Sequence, residues 1–182
     1  MKEFWQDLKQ AIRTVPDFPI PGIQFRDITS LIENPLAFNK ALVDLTNVAF
    51  QGTKIIGIES RGFVFGSPLA RDMDVPFIMA RKPGKLPNET YKKEYQLEYG
   101  TATLEIQKNT EILPEDKVVI VDDLIATGGT ALACAELIHA NWNVPKENIL
   151  VVAVINLTDL GGSAKIVAEG YKVRTLIEYE GE

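Results

Sequence analysis

The chain is predicted to be an α/β domain with a mostly parallel central sheet flanked by helices, and three features of the sequence predict it. Short apolar segments alternate with helical patterns along most of the 182 residues. The segments themselves, such as VVIV at Val118–Val121, are apolar without the polar alternation of a one-sided sheet, as expected of strands covered on both faces. Turn residues and glycines cluster directly after several of these strands, where an open parallel sheet binds its ligands. The length suits one domain, and a 46% hydrophobic composition is enough to build its core.

Taken in order, Phe4, Trp5, Leu8 and Ile12 stand at helical spacing and predict an amphipathic helix over residues 2–13. Residues 14–30 carry Pro16, Pro19, Pro21 and Gly22 and predict a loop. Asn34 as N-cap and Pro35 at the first helical position predict a second helix, with Leu36, Leu42, Leu45 and Val48 on its buried face and an end near Gly52. The alternation then gives strand Lys54–Ile58, helix Gly62–Met73 and strands Pro76–Ala80 and Val118–Val121. It closes with helix Gly129–Asn141, strand Ile149–Asn156, helix Gly161–Glu169 and strand Val173–Tyr179. Residues 81–107 interrupt the pattern and predict a hairpin or a mobile flap. One domain spans 1–182, with 1–33 an N-terminal hood segment and 88–102 the flap.

Composition narrows the function. A net charge of −6 argues against a nucleic-acid partner. No apolar run reaches the ~18 residues of a membrane span, and the N-terminus lacks a signal-peptide core. The single cysteine, Cys134, permits no intrachain disulfide and fits a reducing cytoplasm. It reads as a small core residue, and the lone His139 as structural, with no companion for a zinc site.

The stretch from Val118 to Ala131, VVIVDDLIATGGTA, carries the chemistry. After the strand, Ala126, Thr127, Gly128, Gly129 and Thr130 lead into a helix N-terminus. That end presents unpaired amides and the positive pole of the helix dipole, and its glycines admit a phosphate close to the backbone. The Gly-Lys-Ser/Thr ending of a Walker A loop is missing, and so is the G-x-G-x-x-G turn. Asp122 and Asp123 would repel a phosphate and must serve another part of the same ligand. Two vicinal sugar hydroxyls suit them, which points to a 5-phosphoribosyl group; a hydrated Mg2+ is the other candidate.

This stretch closely resembles the phosphoribosyl pyrophosphate (PRPP) signature of the type I phosphoribosyltransferase family. DFPIPGIQFRDIT (17–29), IESRGFVFGSPLA (58–70), RKPGKLP (81–87) and LEYGTATLEIQ (97–107) are similar to the adenine branch of that family, in the family's order. The resemblance implies adenine and PRPP as substrates, AMP and pyrophosphate as products, Mg2+ held mainly through PRPP and water, and a homodimer. It implies that Glu59, Ser60 and Arg61 form a pyrophosphate loop with a cis peptide between Glu59 and Ser60. Arg81 and Lys85 would join that site, while Lys92 and Lys93 read as solvated charges. In the hood, Phe25 would stack on the base, with backbone groups of Gln24 and Arg26 along its edge and Leu124 on the opposite face. Gln24 departs from the aliphatic residue expected there. In the flap, Tyr99 accompanies Glu98, which the resemblance makes a candidate acceptor for the purine proton. Arg61, Lys85, Asp122, Asp123 and Glu98 are the expected catalytic groups. Rival readings are a sister enzyme for hypoxanthine, xanthine, guanine or orotate, a non-catalytic PRPP-binding regulator, and an unrelated nucleotide-binding module.

Overall fold

The computed structural model describes residues 8–96 and 100–180. Its centre is a five-stranded sheet in the order β4-β3-β7-β8-β9, every neighbouring pair parallel. The strands are β3 (Lys54–Ile58), β4 (Phe77–Ala80), β7 (Val118–Ile125), β8 (Ile149–Leu157) and β9 (Lys172–Tyr179). The expected architecture is present.

Strand β7 shows why the sheet is two-sided. Val118 and Ile120 pack with the helix α4 (Gly129–Trp142), while Val119 and Val121 pack with α2 (Pro35–Ala49) and α3 (Arg61–Met73) on the other face. All four valine and isoleucine side chains are buried, so the unbroken apolar run serves two cores rather than one. The short helix α5 (Gly162–Ala168) follows β8.

Chain order fixes where a ligand can bind. From β3 the chain crosses to β4 at one edge; from β7 it proceeds through β8 to β9 at the other. The strand order therefore reverses between β3 and β7, and the crevice at their carboxyl ends is a topological switch point.

The N-terminal segment corrects two expectations. Helical residues end at 11, and β1 (Arg13–Pro16) pairs antiparallel with β2 (Gln24–Asp27), followed by α1 (Thr29–Glu33). Prolines and Gly22 marked the connection correctly but hid the strands on either side of it. Phe4 and Trp5 lie outside the described residues. Asn34 does cap α2, its side chain accepting from the amides of Leu36 at 3.1 Å and Ala37 at 3.2 Å. Leu42 and Leu45 are buried as expected, but Leu36 is 83% exposed: in the first turn it points away from the core. The interruption at 81–107 contains a hairpin, β5 (Thr90–Gln96) with β6 (Thr101–Gln107).

Candidate active site

Strand β3 ends at Ile58, and the chain turns through Glu59 and Ser60 into α3; the Glu59–Ser60 peptide is cis. The start of α3 presses against β7. A Cβ on Gly62 would lie 2.5 Å from the Val121 carbonyl oxygen, so only glycine lets the two strand ends approach this closely. Arg61 is thereby set beside the carboxylates of β7. Its Nε lies 2.9 Å from Asp123 Oδ2, with the guanidinium half exposed and the carboxylate nearly buried. The contact is an ion pair without hydrogen-bond alignment, leaving Asp123 Oδ2 unsatisfied by protein donors.

Strand β7 is longer than expected and runs through Asp122 and Asp123 to Ile125. Alternation along it sends the two carboxylates to different sides. Asp122 is half-buried, and its Oδ1 accepts from the Asp123 amide at 2.9 Å. Desolvation, followed by the neighbouring charge of Asp123, pushes the Asp122 carboxyl well above the usual range. Behind it, burial pushes the Cys134 thiol up, so that thiol is an inert core group.

The glycine turn forms an open cradle. Gly128 is the N-cap of α4, with φ of +74°, and no side chain caps the helix. The first-turn amides are left for an anion. The back wall is Gly162, far away in sequence. A Cβ there would sit 2.1 Å from the Ala126 carbonyl oxygen and 2.5 Å from the Gly128 nitrogen. A glycine–glycine contact across two loops thus sets the depth of the cradle, and sequence spacing offered no sign of it.

In the basic loop, Arg81 is committed to protein partners. Its Nε and Nη2 donate to Glu59 at 3.1 and 3.2 Å, and Nη1 donates to the Lys85 carbonyl at 3.0 Å. The Lys82 amide donates to Glu59 at 3.0 Å. Arg81, and then the Lys82 amide, hold the Glu59 carboxyl below its ordinary value. Lys82 and Pro83 line the cleft, whereas Arg81 and the exposed Lys85 do not. Lys82, within RKPGKLP, carries no sequence signal of its own; what points to it is the pairing of its neighbour Arg81 with Glu59.

The hairpin lies against α4. The Tyr91 and Trp142 rings meet edge to face at 5.0 Å, Lys93 Nζ sits 2.9 Å from Glu136, and the Gln96 carbonyl oxygen lies 3.1 Å from where a Gly129 Cβ would be. Lys92 pairs with Glu105 at 2.7 Å. Lys92 and Lys93, expected as solvated charges, keep side chains 62% and 42% exposed while each pairs with a carboxylate, because β5 brings alternate side chains to different neighbours. Tyr95 and Thr101–Thr103 add to the cleft wall, an unanticipated contribution. Glu98 and Tyr99 lie outside the described residues.

The resulting cleft, about 730 Å³, gathers Glu59, Ser60 and Arg61 from one strand end and Asp122–Ala131 from the other. Leu124 lies on its wall, while Gln24, Phe25 and Arg26 do not line it. Phe25 packs edge-on against Phe18 at 5.0 Å. The Arg26 guanidinium lies over the Tyr179 ring at 4.3 Å and donates to Thr14 Oγ1 at 2.7 Å. His139 is structural as expected, its Nδ1 meeting the Val144 carbonyl at 2.8 Å.

A switch-point cleft with an uncapped phosphate cradle and paired carboxylates on one strand defines a phosphoribosyl-transferring domain, and residues 33–161 match the family model of the phosphoribosyl transferase domain. The chain is 48% identical over 178 residues, 96% of its length and 94% of the relative's, to the adenine phosphoribosyltransferase of Shewanella baltica. It is 45% identical over 184 residues, 100% of its length and 99% of the relative's, to that of Sinorhizobium medicae. Solved structures agree. The enzyme from Thermoanaerobacter pseudethanolicus superposes with a TM-score of 0.87 at 42% identity, covering 96% of this chain and 99% of that one. The Giardia lamblia enzyme, complexed with 9-deazaadenine, gives 0.88 at 35%, covering 96% and 97%. The chain belongs to the adenine phosphoribosyltransferase family.

Proposed function

We propose that the chain transfers the 5-phosphoribosyl group of PRPP to adenine, releasing pyrophosphate and forming AMP in purine salvage. The observation that carries this reading is the single β7–α4 unit, which offers an uncapped helix N-terminus for a 5-phosphate and, at the carboxyl half of the strand just before it, two carboxylates for ribose hydroxyls. A purine nitrogen forms the new bond to C1 while the C1–oxygen bond breaks, the electron pair leaving with pyrophosphate. The transition state resembles an oxocarbenium ion. Asp122 and Asp123 hold the ribose and oppose positive charge on the ring. Arg61, with Lys82 of the basic loop, neutralises the departing anion. Arg81 and Glu59 brace that loop. Thr127 and Thr130 hydroxyls and the cradle amides fix the 5-phosphate.

The donor set fits Mg2+ carried by substrate. Asp123, on the cleft wall, keeps a buried oxygen without a hydrogen bond. When bound, the metal would supply charge neutralisation on pyrophosphate, and Asp122 or Asp123 are the protein groups that would help hold it.

For the base, Leu124 forms one wall, and the hood residues Gln24, Phe25 and Arg26, which do not line the cleft in this structure, would have to move to form the other. Glu98 is the proposed proton acceptor, and residues 88–102 the segment that excludes water. Near-full turnover by a Glu98→Gln variant would remove that role. The protein is proposed to act as a cytoplasmic homodimer. Half-exposed Val64 and Met79 supply apolar surface for such a contact, and sedimentation as a monomer at micromolar concentration would overturn it.

The direct test is to supply PRPP, Mg2+ and each purine base in turn and follow nucleotide formation. AMP from adenine alone is expected. IMP or GMP instead would retain the phosphoribosyl site and overturn the reading of the hood, and PRPP binding without product would favour a regulator.

A further inference from the structure

Asn156 is the one polar side chain in β8, whose sequence is ILVVAVINL. The strand is paired on both sides, with Ile125 of β7 opposite Asn156 on one flank and Glu178 of β9 on the other, and Asn156 is only 6% exposed. A polar group so placed is costly unless a partner satisfies it. The partner is Ser163, seven residues on, whose hydroxyl donates to Asn156 Oδ1 at 2.7 Å. Both ends of this bond adjoin the phosphate cradle. Ile125, opposite Asn156, is the last residue of β7 before it, and Ser163 directly follows Gly162, its back wall. One side-chain hydrogen bond therefore links the strand beside the cradle to the loop behind it.

The wall needs such a link. Gly162 and the cradle meet backbone to backbone: a Cβ on Gly162 would lie 2.7 Å from the Thr127 carbonyl carbon, and one on Gly128 would lie 2.6 Å from the Gly162 carbonyl oxygen. Among the described residues no backbone hydrogen bond joins 158–163 to 126–128. The bonds of the loop stay within it and α5, from the Gly161 amide to the Thr158 carbonyl at 3.1 Å and from the Lys165 amide to the Gly161 carbonyl at 3.0 Å. Side chains anchor it instead. Thr158 Oγ1 donates to the Tyr179 carbonyl at 3.0 Å where the loop begins, and Ser163 reaches Asn156 where it ends. Buried Ile166 seats α5 behind them. Of these anchors, the Asn156–Ser163 bond is the one adjacent to the wall. Without the Ser163 hydroxyl a buried acceptor loses its donor, and the loop must shift or admit water to satisfy it. Either change moves Gly162 against the turn that carries the cradle amides.

We propose that Asn156 and Ser163 are a positioning pair for the 5-phosphate cradle: their hydrogen bond holds Gly162 against Ala126–Gly128 and so sets the depth at which a 5-phosphate is bound. Neither residue lines the cleft, and both act through Gly162. This rests on the phosphoribosyl reading of the cleft and deepens it, because it separates ligands that carry a 5-phosphate from those that do not.

The experiment compares wild type with S163A, which removes the hydroxyl and little else, and with V167A, a control on α5 whose side chain is 55% exposed. Dissociation constants are measured for AMP and ribose 5-phosphate, which carry the 5-phosphate, and for pyrophosphate with Mg2+, which does not. KM for adenine is measured at saturating PRPP, and a thermal melt is recorded for each protein. S163A is expected to weaken AMP and ribose 5-phosphate about tenfold, the scale set by a buried acceptor left without its donor. Pyrophosphate affinity and KM for adenine should stay within about twofold, and V167A should match wild type. Unchanged constants for AMP and ribose 5-phosphate in S163A, whatever its melting temperature, would overturn the proposal. So would an equal loss for pyrophosphate, or the same loss in V167A. Wild type that binds neither phosphorylated ligand would instead refute the phosphoribosyl reading itself. If S163A fails to accumulate, S163C, whose thiol is only a weak donor, must show the same selective loss in smaller degree or the proposal falls.

Discussion

Arg61 Nε lies 2.9 Å from Asp123 Oδ2, joining the end of β3 to the end of β7 across the switch point. The pair ties the proposed pyrophosphate side of the cleft to its ribose side. Substituting Arg61 by alanine should lower kcat/KM for PRPP by about 10²–10³, the usual loss when one donor to a developing anion is removed. Stability should fall by only about 1 kcal/mol, since Asp123 loses its partner but Arg61 is half exposed and screened by water. Steady-state kinetics and a thermal melt separate the two effects; a full loss of fold would contradict the assignment.

Gly162 offers a test of the cradle from outside its motif. A Cβ there would collide with backbone atoms of Ala126 and Gly128, neither of which can move without opening the turn. Gly162→Ala should destabilise the protein by about 1–3 kcal/mol, as overpacking does. It should also raise KM for PRPP at least about tenfold, because cradle amides shifted by an ångström lose near-attack positioning. Wild-type PRPP affinity in this variant would mean that the loop relaxes freely.

Asp122 should trade stability for function. Its carboxyl is raised, so the folded state favours the neutral form. The linked stability is present at low pH and declines as pH climbs from the ordinary carboxylate value, near 4, through the raised one. Asp122→Asn should abolish that decline and gain about 1 kcal/mol at neutral pH, roughly 2–4 °C in Tm for a chain of this size. Turnover should drop sharply. Parallel melting curves from pH 4 to 8 give the answer, and identical slopes for both proteins would refute the coupling.

Glu59 has the opposite sign. Its carboxyl is lowered by Arg81, so its contribution is complete above the ordinary value and disappears as pH falls through the lowered one. Glu59→Gln should cost about 0.5–1 kcal/mol at pH 7, a modest figure because the pair is partly exposed. The difference from wild type should be smaller at pH 3 than at pH 7. Urea titrations at both pH values would show it, and a pH-independent gap would assign the loss to shape instead of charge.

Much of this molecule is local chemistry and could be read from the chain. Apolar runs such as Val118–Val121 reveal strands because a two-sided sheet demands apolar residues at every position. Asn34-Pro35 marks a helix start because capping involves only neighbouring atoms. The β7–α4 stretch announces a phosphoribosyl site because both halves of it, carboxylates and cradle, are contiguous. The fold class and the main stretch of the candidate site were therefore legible in the sequence alone.

Tertiary structure decided what depends on distance across the chain. The strands at Arg13–Pro16 and Gln24–Asp27 exist through their mutual pairing, which prolines and a glycine conceal. Gly162 matters because it meets Gly128, and Gly62 because it meets Val121. Arg81 looks like the best anion ligand in RKPGKLP, yet Glu59, 22 residues away, occupies its guanidinium and leaves Lys82 to face the cleft. Residue type and spacing show which groups are able to bind a charge. Which of them already has a partner is settled by packing, since a carboxylate held against the loop claims the nearest cation before any ligand arrives.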